Sequence, residues 1–283
     1  MVIVRFQGRL GNQMFQYAFA MSLAKKFKTF FLIDNFEQSI FLKYFRVEPI
    51  SKWPFFYKKL LSVFGKYSMQ KLEQSGNEPP ENWLMENLDH RYYKGFFQSE
   101  KYFENVQALV KERFTIKKEF RKMFHDSFGL QFSEKRILAI HCRFGDYLNS
   151  WGVKNLGGEN LSLPVSYYKN SLNLISDKTD YTIIVVTDDK ALAEQLFQFI
   201  PVKFIVSALD IIDFQILQHA HKLIISNSSF SWWAAYLNIN SAQVFAPQYW
   251  LGFRIDREWP LGIIPSRFIQ VPVNELLSSS LAN

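Results

Sequence analysis

Four short segments hold side chains suited to a phosphate-bearing substrate. In His141-Cys-Arg-Phe-Gly-Asp-Tyr147, an imidazole, a guanidinium and a carboxylate crowd one short run. A guanidinium there could clamp a diphosphate with two parallel hydrogen bonds. If the chain stays extended to Arg143, His141 and Arg143 share one face and Cys142 takes the other. An Arg143–Asp146 salt bridge is the plainer reading of the same residues, and Cys142 reads as an inert buried thiol. Thr187-Asp188-Asp189 offers a base or ribose contact, a metal pair, or an N-cap for a helix starting near Ala191. Adjacent carboxylates on an extended segment diverge, which disfavours the metal. Ser226-Asn-Ser-Ser-Phe-Ser-Trp-Trp233 joins hydroxyls to the free N–H groups of a helix start, an anion site unless Ser229 is merely a cap. Gly8-Arg-Leu-Gly11-Asn-Gln13 lets backbone approach a phosphate, and Asp34 further on could meet a ribose. That spacing is one residue short of G-x-G-x-x-G, so an ordinary strand-to-helix turn is equally open.

All of these segments follow β-branched runs. Val2–Phe6, the glycine turn, helical spacing through Met14, Tyr17, Ala18, Met21 and Ala24, and Thr29–Ile33 predict the start of a βαβ unit. Lys25, Lys26 and Lys28 suit the C-terminal end of that helix. The second half alternates again. Strands are predicted at Arg136–Ile140, Tyr181–Val186, Val202–Val206, Lys222–Ile225 and Gln243–Phe245. Helices are predicted around Tyr167–Ile175, Ala191–Phe199, Asp210–His221 and from Ser229. Near-continuous apolar strands between helices predict a parallel sheet covered on both faces. Residues 42–129 differ in texture, with aromatics and scattered lysines, and read as an insertion in a first domain. The domain boundary is placed near 127–134, giving domains 1–130 and 131–283.

The 283 residues carry a net charge of +7, 48% apolar and 17% aromatic side chains, which excludes global disorder. One cysteine excludes a disulfide framework and points to a reducing compartment, and no secretory signal is read, so the chain is expected in the cytoplasm. Leu223–Phe253 lacks charge over a membrane-spanning length, yet its Asn, Ser and Gln side chains make it a buried soluble stretch. Between 43 and 71, Lys43, Arg46, Lys52, Lys58, Lys59, Lys66 and Lys71 face one acid, Glu48, with Trp53, Phe55, Phe56, Tyr57 and Phe64 interleaved. This is a peripheral membrane contact, where a lipid-linked substrate could be met, or a solvated face over a packed interior. No nucleic-acid module is present, and no nucleic-acid partner is expected.

In order, Gly8–Tyr17, His141–Tyr147, Val186–Asp189 and Ser226–Trp233 resemble the motifs of glycosyltransferase family 11, the α-1,2-fucosyltransferases. The resemblance implies an α/β GT-B fold of two facing Rossmann-like domains with parallel sheets, the second holding the donor. It implies inverting transfer of L-fucose from GDP-β-L-fucose to the 2-OH of a terminal β-galactoside, in surface glycan synthesis, with no cofactor and no metal. Carried over by position, Arg143 grips the β-phosphate of the departing GDP, and His141 with one of Asp188 or Asp189 contacts the guanosine. Ser228, Ser229 and Phe230 offer donors to the pyrophosphate, and Asn12, with Arg9 nearby, reaches over from the first domain.

Without a divalent ion, fixed cations and amides must carry the leaving-group charge. Asp146 is the candidate general base by its place in the motif, although pairing with Arg143 would weaken it in that role. Three other readings compete: a GT-B enzyme with another nucleotide sugar, a metal-dependent transferase using Asp188 and Asp189, and a non-catalytic glycan-binding or membrane-associated assembly protein. A dehydrogenase is disfavoured by the short glycine motif.

Overall fold

The computed structural model describes residues 1–47, 59, 62–63, 69–76, 78–81, 89–148, 154–158 and 160–273. Lys52, Lys58 and Lys66, with the aromatics Trp53 to Phe64, lie outside the described residues, and so does most of the expected membrane face. The chain divides into two compact units, Met1–Lys118 with Pro260–Pro265, and Glu119–Trp259 with Ser266–Asn283.

In the first unit, β1 (Val2–Arg5), β2 (Phe31–Asp34), β3 (Gln70–Glu73) and β4 (Arg91–Lys94) form, among the described residues, a four-stranded sheet in the order β2-β1-β4-β3. Every pairing is parallel. The helix Leu10–Lys26 connects β1 to β2 and is buried almost continuously from Leu10 to Leu23. Apolar residues on every side make it a core element rather than a surface helix. Its two buried glutamines are both satisfied. Gln16 donates to the Gly95 carbonyl (2.9 Å) and accepts from the Gln7 amide (3.0 Å), while Gln13 accepts from the Phe41 amide (3.0 Å). The helix stops where Lys25 and Lys26 meet its negative end.

The segment read as an insertion thus supplies two of this sheet's strands, with Ile3 opposite Tyr92 and Val4 opposite Tyr93. Its strands are short. β3 lies at the sheet edge with Lys71 and Glu73 exposed, and Lys94 Nζ sits 2.6 Å from Glu73 Oε1. Such charge protects an edge from pairing with other chains and also hides the apolar alternation that announces a strand.

The second unit carries β5 (Ile137–Cys142), β6 (Thr182–Thr187), β7 (Phe204–Val206), β8 (Lys222–Ile224), β9 (Gln243–Pro247) and β10 (Ile269–Val271). Their order is β10-β9-β8-β5-β6-β7, again all parallel. Every residue of β5 is buried, as a central strand covered on both faces requires. Helices Val165–Asn173, Lys190–Leu196, Asp210–His219 and Ser229–Tyr236 lie between the strands in sequence.

The uncharged run Leu223–Phe253 becomes β8, the helix Ser229–Tyr236 and β9, with Trp232 and Trp233 wholly buried. No described helix is long and apolar enough to cross a membrane. The boundary read at 127–134 falls inside a continuous helix, Lys118–Glu134, and the break between units comes at that helix's start. Its apolar stripe is one residue wide: Phe124, Phe128 and Phe132 recur every fourth position, and Phe124 stacks on His219 at 4.7 Å. Most of the helix's other side chains are exposed, which is why the stretch read as a domain boundary.

Candidate active site

The sheet order brings three of the four motifs together. β8, β5 and β6 are neighbours, so the turns that leave their carboxyl ends lie side by side. Open α/β sheets take ligands at that edge. Arg143 follows β5 directly and its side chain is 17% exposed. Its Nε and Nη2 both donate to Oδ1 of Asp146 (3.2 and 2.7 Å), and its Nη1 lies 3.0 Å from Oδ2 of Asp188. The salt bridge that was the plainer reading is therefore present, and a second acid joins it. Burial opposes the guanidinium charge, but the Asp146 hydrogen bond and the charges of Asp188 and Asp146 outweigh it and hold Arg143 firmly protonated. A guanidinium has five N–H donors, so two carboxylates orient this one without exhausting it.

Asp188 and Asp189 turn out to do different work. Oδ1 of Asp188 accepts from the Phe144 amide (2.9 Å), tying the end of β6 to the loop after β5. Asp189 accepts from the Leu192 amide (3.0 Å) as N-cap of the helix Lys190–Leu196. The two carboxylates therefore point to separate partners. Gly145 makes room for the first of them: its φ is +25°, and a Cβ there would stand 2.5 Å from Oδ2 of Asp188. Among the described residues, no group of three His, Cys, Asp or Glu side chains is placed to hold a metal ion.

His141 lies within β5 and is 5% exposed. Its Nδ1 is 2.8 Å from Ser226 Oγ, and its ring packs 5.6 Å from that of Phe230. Burial drives its pKa down to about 3, so the imidazole is neutral at physiological pH and acts through hydrogen bonds, not charge. Cys142 is buried on the same strand, and burial pushes its thiol up to about 12, which removes it as a nucleophile.

At the third turn the cap is Ser228, whose Oγ accepts from the Phe230 amide (3.4 Å), and not Ser229. Ser229 and Phe230 form the first turn of the helix Ser229–Tyr236, where the leading amides and the dipole favour an anion. Two residues that sequence reasoning left aside join this turn to the Arg143 loop. Tyr147 donates to the Asn227 carbonyl (3.2 Å), and Asn227 Nδ2 donates to the Leu161 carbonyl (2.9 Å). Burial raises Tyr147 to about 12, so its phenol stays a donor.

The remaining motif belongs to the first unit. Gly8 has φ +73°, and a Cβ there would meet Asn12 Nδ2 at 2.3 Å, so only glycine leaves room for that side chain. Asn12 Oδ1 accepts from Gln98 Nε2 (2.6 Å), a partner 86 positions away that no local pattern announces. Arg9 is exposed and precedes the helix Leu10–Lys26. Asp34 closes β2, accepting from Tyr92 Oη (2.5 Å) and the Asn35 amide (2.9 Å).

The family model of glycosyl transferase family 11 matches residues 1–252. The chain belongs to that family. Among relatives, an α-1,2-colitosyltransferase of Escherichia coli is 26% identical, the match covering 88% of this chain and 92% of the relative. The O-antigen biosynthesis glycosyltransferase WbnK of Escherichia coli is 25% identical, covering 86% and 92%. Among solved structures, the NodZ α-1,6-fucosyltransferase of Bradyrhizobium, soaked with GDP-fucose, superimposes with a TM-score of 0.53 at 14% identity, covering 83% of this chain and 92% of NodZ. The fold is thus that of the GT-B fucosyltransferases, two α/β units each built on a parallel sheet.

Proposed function

We propose that this family 11 glycosyltransferase moves L-fucose from GDP-β-L-fucose to the 2-OH of a terminal β-galactoside, with inversion and without a metal, during surface polysaccharide synthesis. The observation that carries the reading is Arg143, fixed at the carboxyl end of β5 by Asp146 and Asp188. Breaking the fucosyl–phosphate bond leaves negative charge on the diphosphate and positive character on the sugar. A preorganised guanidinium beside the amides of Ser229 and Phe230 stabilises that charge with no reorganisation. Ser228 holds the first turn of that helix in place. Neutral His141 and one acid of the Asp188–Asp189 pair serve the guanosine. Asn12 and Arg9 are assigned to the same donor from the first unit.

Metal independence is supported by the divergence of the two aspartates, which face separate partners. Asp146 is assigned to the acceptor proton, but it is held by Arg143, and a dissociative path in which the proton leaves late fits that contact better. The likeness to the colitosyltransferase favours a second reading, a colitosyl donor on the same site.

The deciding experiment incubates the chain with GDP-fucose and a panel of galactosides in chelator, then analyses the linkage. An α-1,2-fucosyl product supports the proposal, whereas activity only with a colitosyl donor supports the second reading. Activity that vanishes in chelator and returns with a divalent cation overturns the metal-free mechanism.

A further inference from the structure

A cavity of about 500 Å³ lies in the second unit, away from the turns described above. Tyr181 and Ile183 line it at the amino end of β6, whereas Asp188 follows the carboxyl end of the same strand. Leu172, Ile183, Phe199 and Ile200 line it with apolar surface. The charged residues of the lining are Lys169 and Lys178, with no acid among the described lining residues. Lys169 Nζ lies 5.0 Å above the Phe199 ring, and Lys178 Nζ reaches the Leu172 carbonyl only at 3.4 Å. Of the acids beside these residues in sequence, Asp177 is held by Lys222 at 2.5 Å, and Asp180 is exposed and is not among the lining residues. Behind the cavity, Arg136 and Lys222 flank the Tyr181 ring at 4.3 and 5.2 Å.

The chain around the mouth is unusually apolar for an exposed surface. Val202 is 76% exposed, Leu174 59% and Phe204 49%. Scattered exposed side chains of this kind need no explanation, but a group of them beside an apolar cavity with a cationic rim marks a binding surface. An apolar space suits a hydrocarbon chain, the lysines suit a phosphate, and the exposed aliphatic side chains suit the interior side of a headgroup layer.

We propose that this cavity is a lipid site: it takes one hydrocarbon chain of an anionic membrane phospholipid, with the phosphate on Lys169 and Lys178. The site is separate from the donor turns, and neither donor nor acceptor enters its test.

The test is co-sedimentation of the full chain with vesicles of phosphatidylcholine alone or mixed with phosphatidylglycerol, at about physiological ionic strength so that long-range attraction is screened. The chain is expected to bind the mixed vesicles at least about tenfold more tightly than the neutral ones. Val202→Asp, and separately the pair Lys169→Glu with Lys178→Glu, are each expected to weaken that binding by about tenfold. Both variants alter the rim rather than the core, and thermal melting unchanged from the parent chain verifies that they fold. Equal binding to neutral vesicles, no binding to either kind, or variants that sediment like the parent overturns the proposal. In the last case another surface, the basic stretch 43–71 included, carries the contact.

Discussion

The Gly8–Asn12 turn of the first unit and the His141–Tyr147 turn of the second both follow the central part of a parallel sheet, yet they are held by different physics. The first is held by shape. Gly8 adopts a left-handed conformation, the absent Cβ leaves space for Asn12, and a neutral amide hydrogen bond to Gln98 sets the side chain. The second is held by charge. Arg143 is suspended between two carboxylates, and Gly145 is absent a side chain so that one of them fits. The lesson is that a neutral turn positions and a charged one stabilises, so damage to each should read out differently.

The largest expected effect is at Arg143. Arg143→Ala should lower kcat on the order of a hundredfold or more, and Arg143→Lys should be nearly as damaging, because a point charge cannot keep the planar fork that Asp146 and Asp188 grip. Steady-state kinetics with GDP-fucose would settle it, and near-normal turnover in the alanine variant would sink the assignment.

Next comes Gly8→Ala, which should cost about 2 kcal/mol through backbone strain and the displaced Asn12. Denaturant unfolding measures it. A loss of turnover without that loss of stability would mean that the first turn is not held by shape.

The third concerns pH. The folded His141 sits at about 3, below the ~6.5 of an unfolded histidine, so between those values the unfolded chain binds the extra proton. Its contribution to stability is complete above pH ~6.5 and falls away as the pH drops below that, by about 2 kcal/mol from pH 7 to 5. Asp213 works in the opposite sense. Burial lifts it to about 7, so it penalises the fold increasingly as pH rises from its unfolded value towards that point. The parent curve mixes the two, and the difference between parent and His141→Asn isolates the first. The variant should lose less stability on acidification, and an identical slope would refute the buried, neutral imidazole.

The smallest effect separates the neighbouring acids. Asp189→Ala should cost about 1 kcal/mol as a lost cap and leave GDP affinity in place. Asp188→Ala should weaken GDP binding severalfold through the freed Arg143 and Phe144 contacts. Calorimetric titration with GDP distinguishes them, and equal losses of affinity would erase the division of labour.

Much of this was legible in the residues. The second unit's strands begin and end within a few positions of their apolar runs, because buried parallel strands need continuous β-branched sequence. The edge strand β3 and the helix Lys118–Glu134 were not legible, since an edge strand and a narrow-striped helix bury too little to leave a period, and the inner strand β4 is too short, with Tyr92 and Tyr93 both buried, to show an alternation. At the site, the residue types of Arg143, Asp146, Asp188 and Ser228 were readable, whereas Gln98, Tyr147 and Asn227 were not. Their roles rest on contacts 80 or more positions apart for Tyr147 with Asn227 and Gln98 with Asn12.

By itself, then, the sequence determined the strand-to-helix rhythm, the glycine that a positive φ demands, and the candidate groups at each turn. All of those follow from local sterics and from the burial each segment can supply. Only the tertiary structure decided that β8, β5 and β6 stand side by side, that Asp188 holds the guanidinium while Asp189 caps a helix, and that Ser228 rather than Ser229 begins the last turn. Strand order and partner choice are set by how the whole core packs, and side chains with the same local credentials are told apart only by what the fold sets beside them.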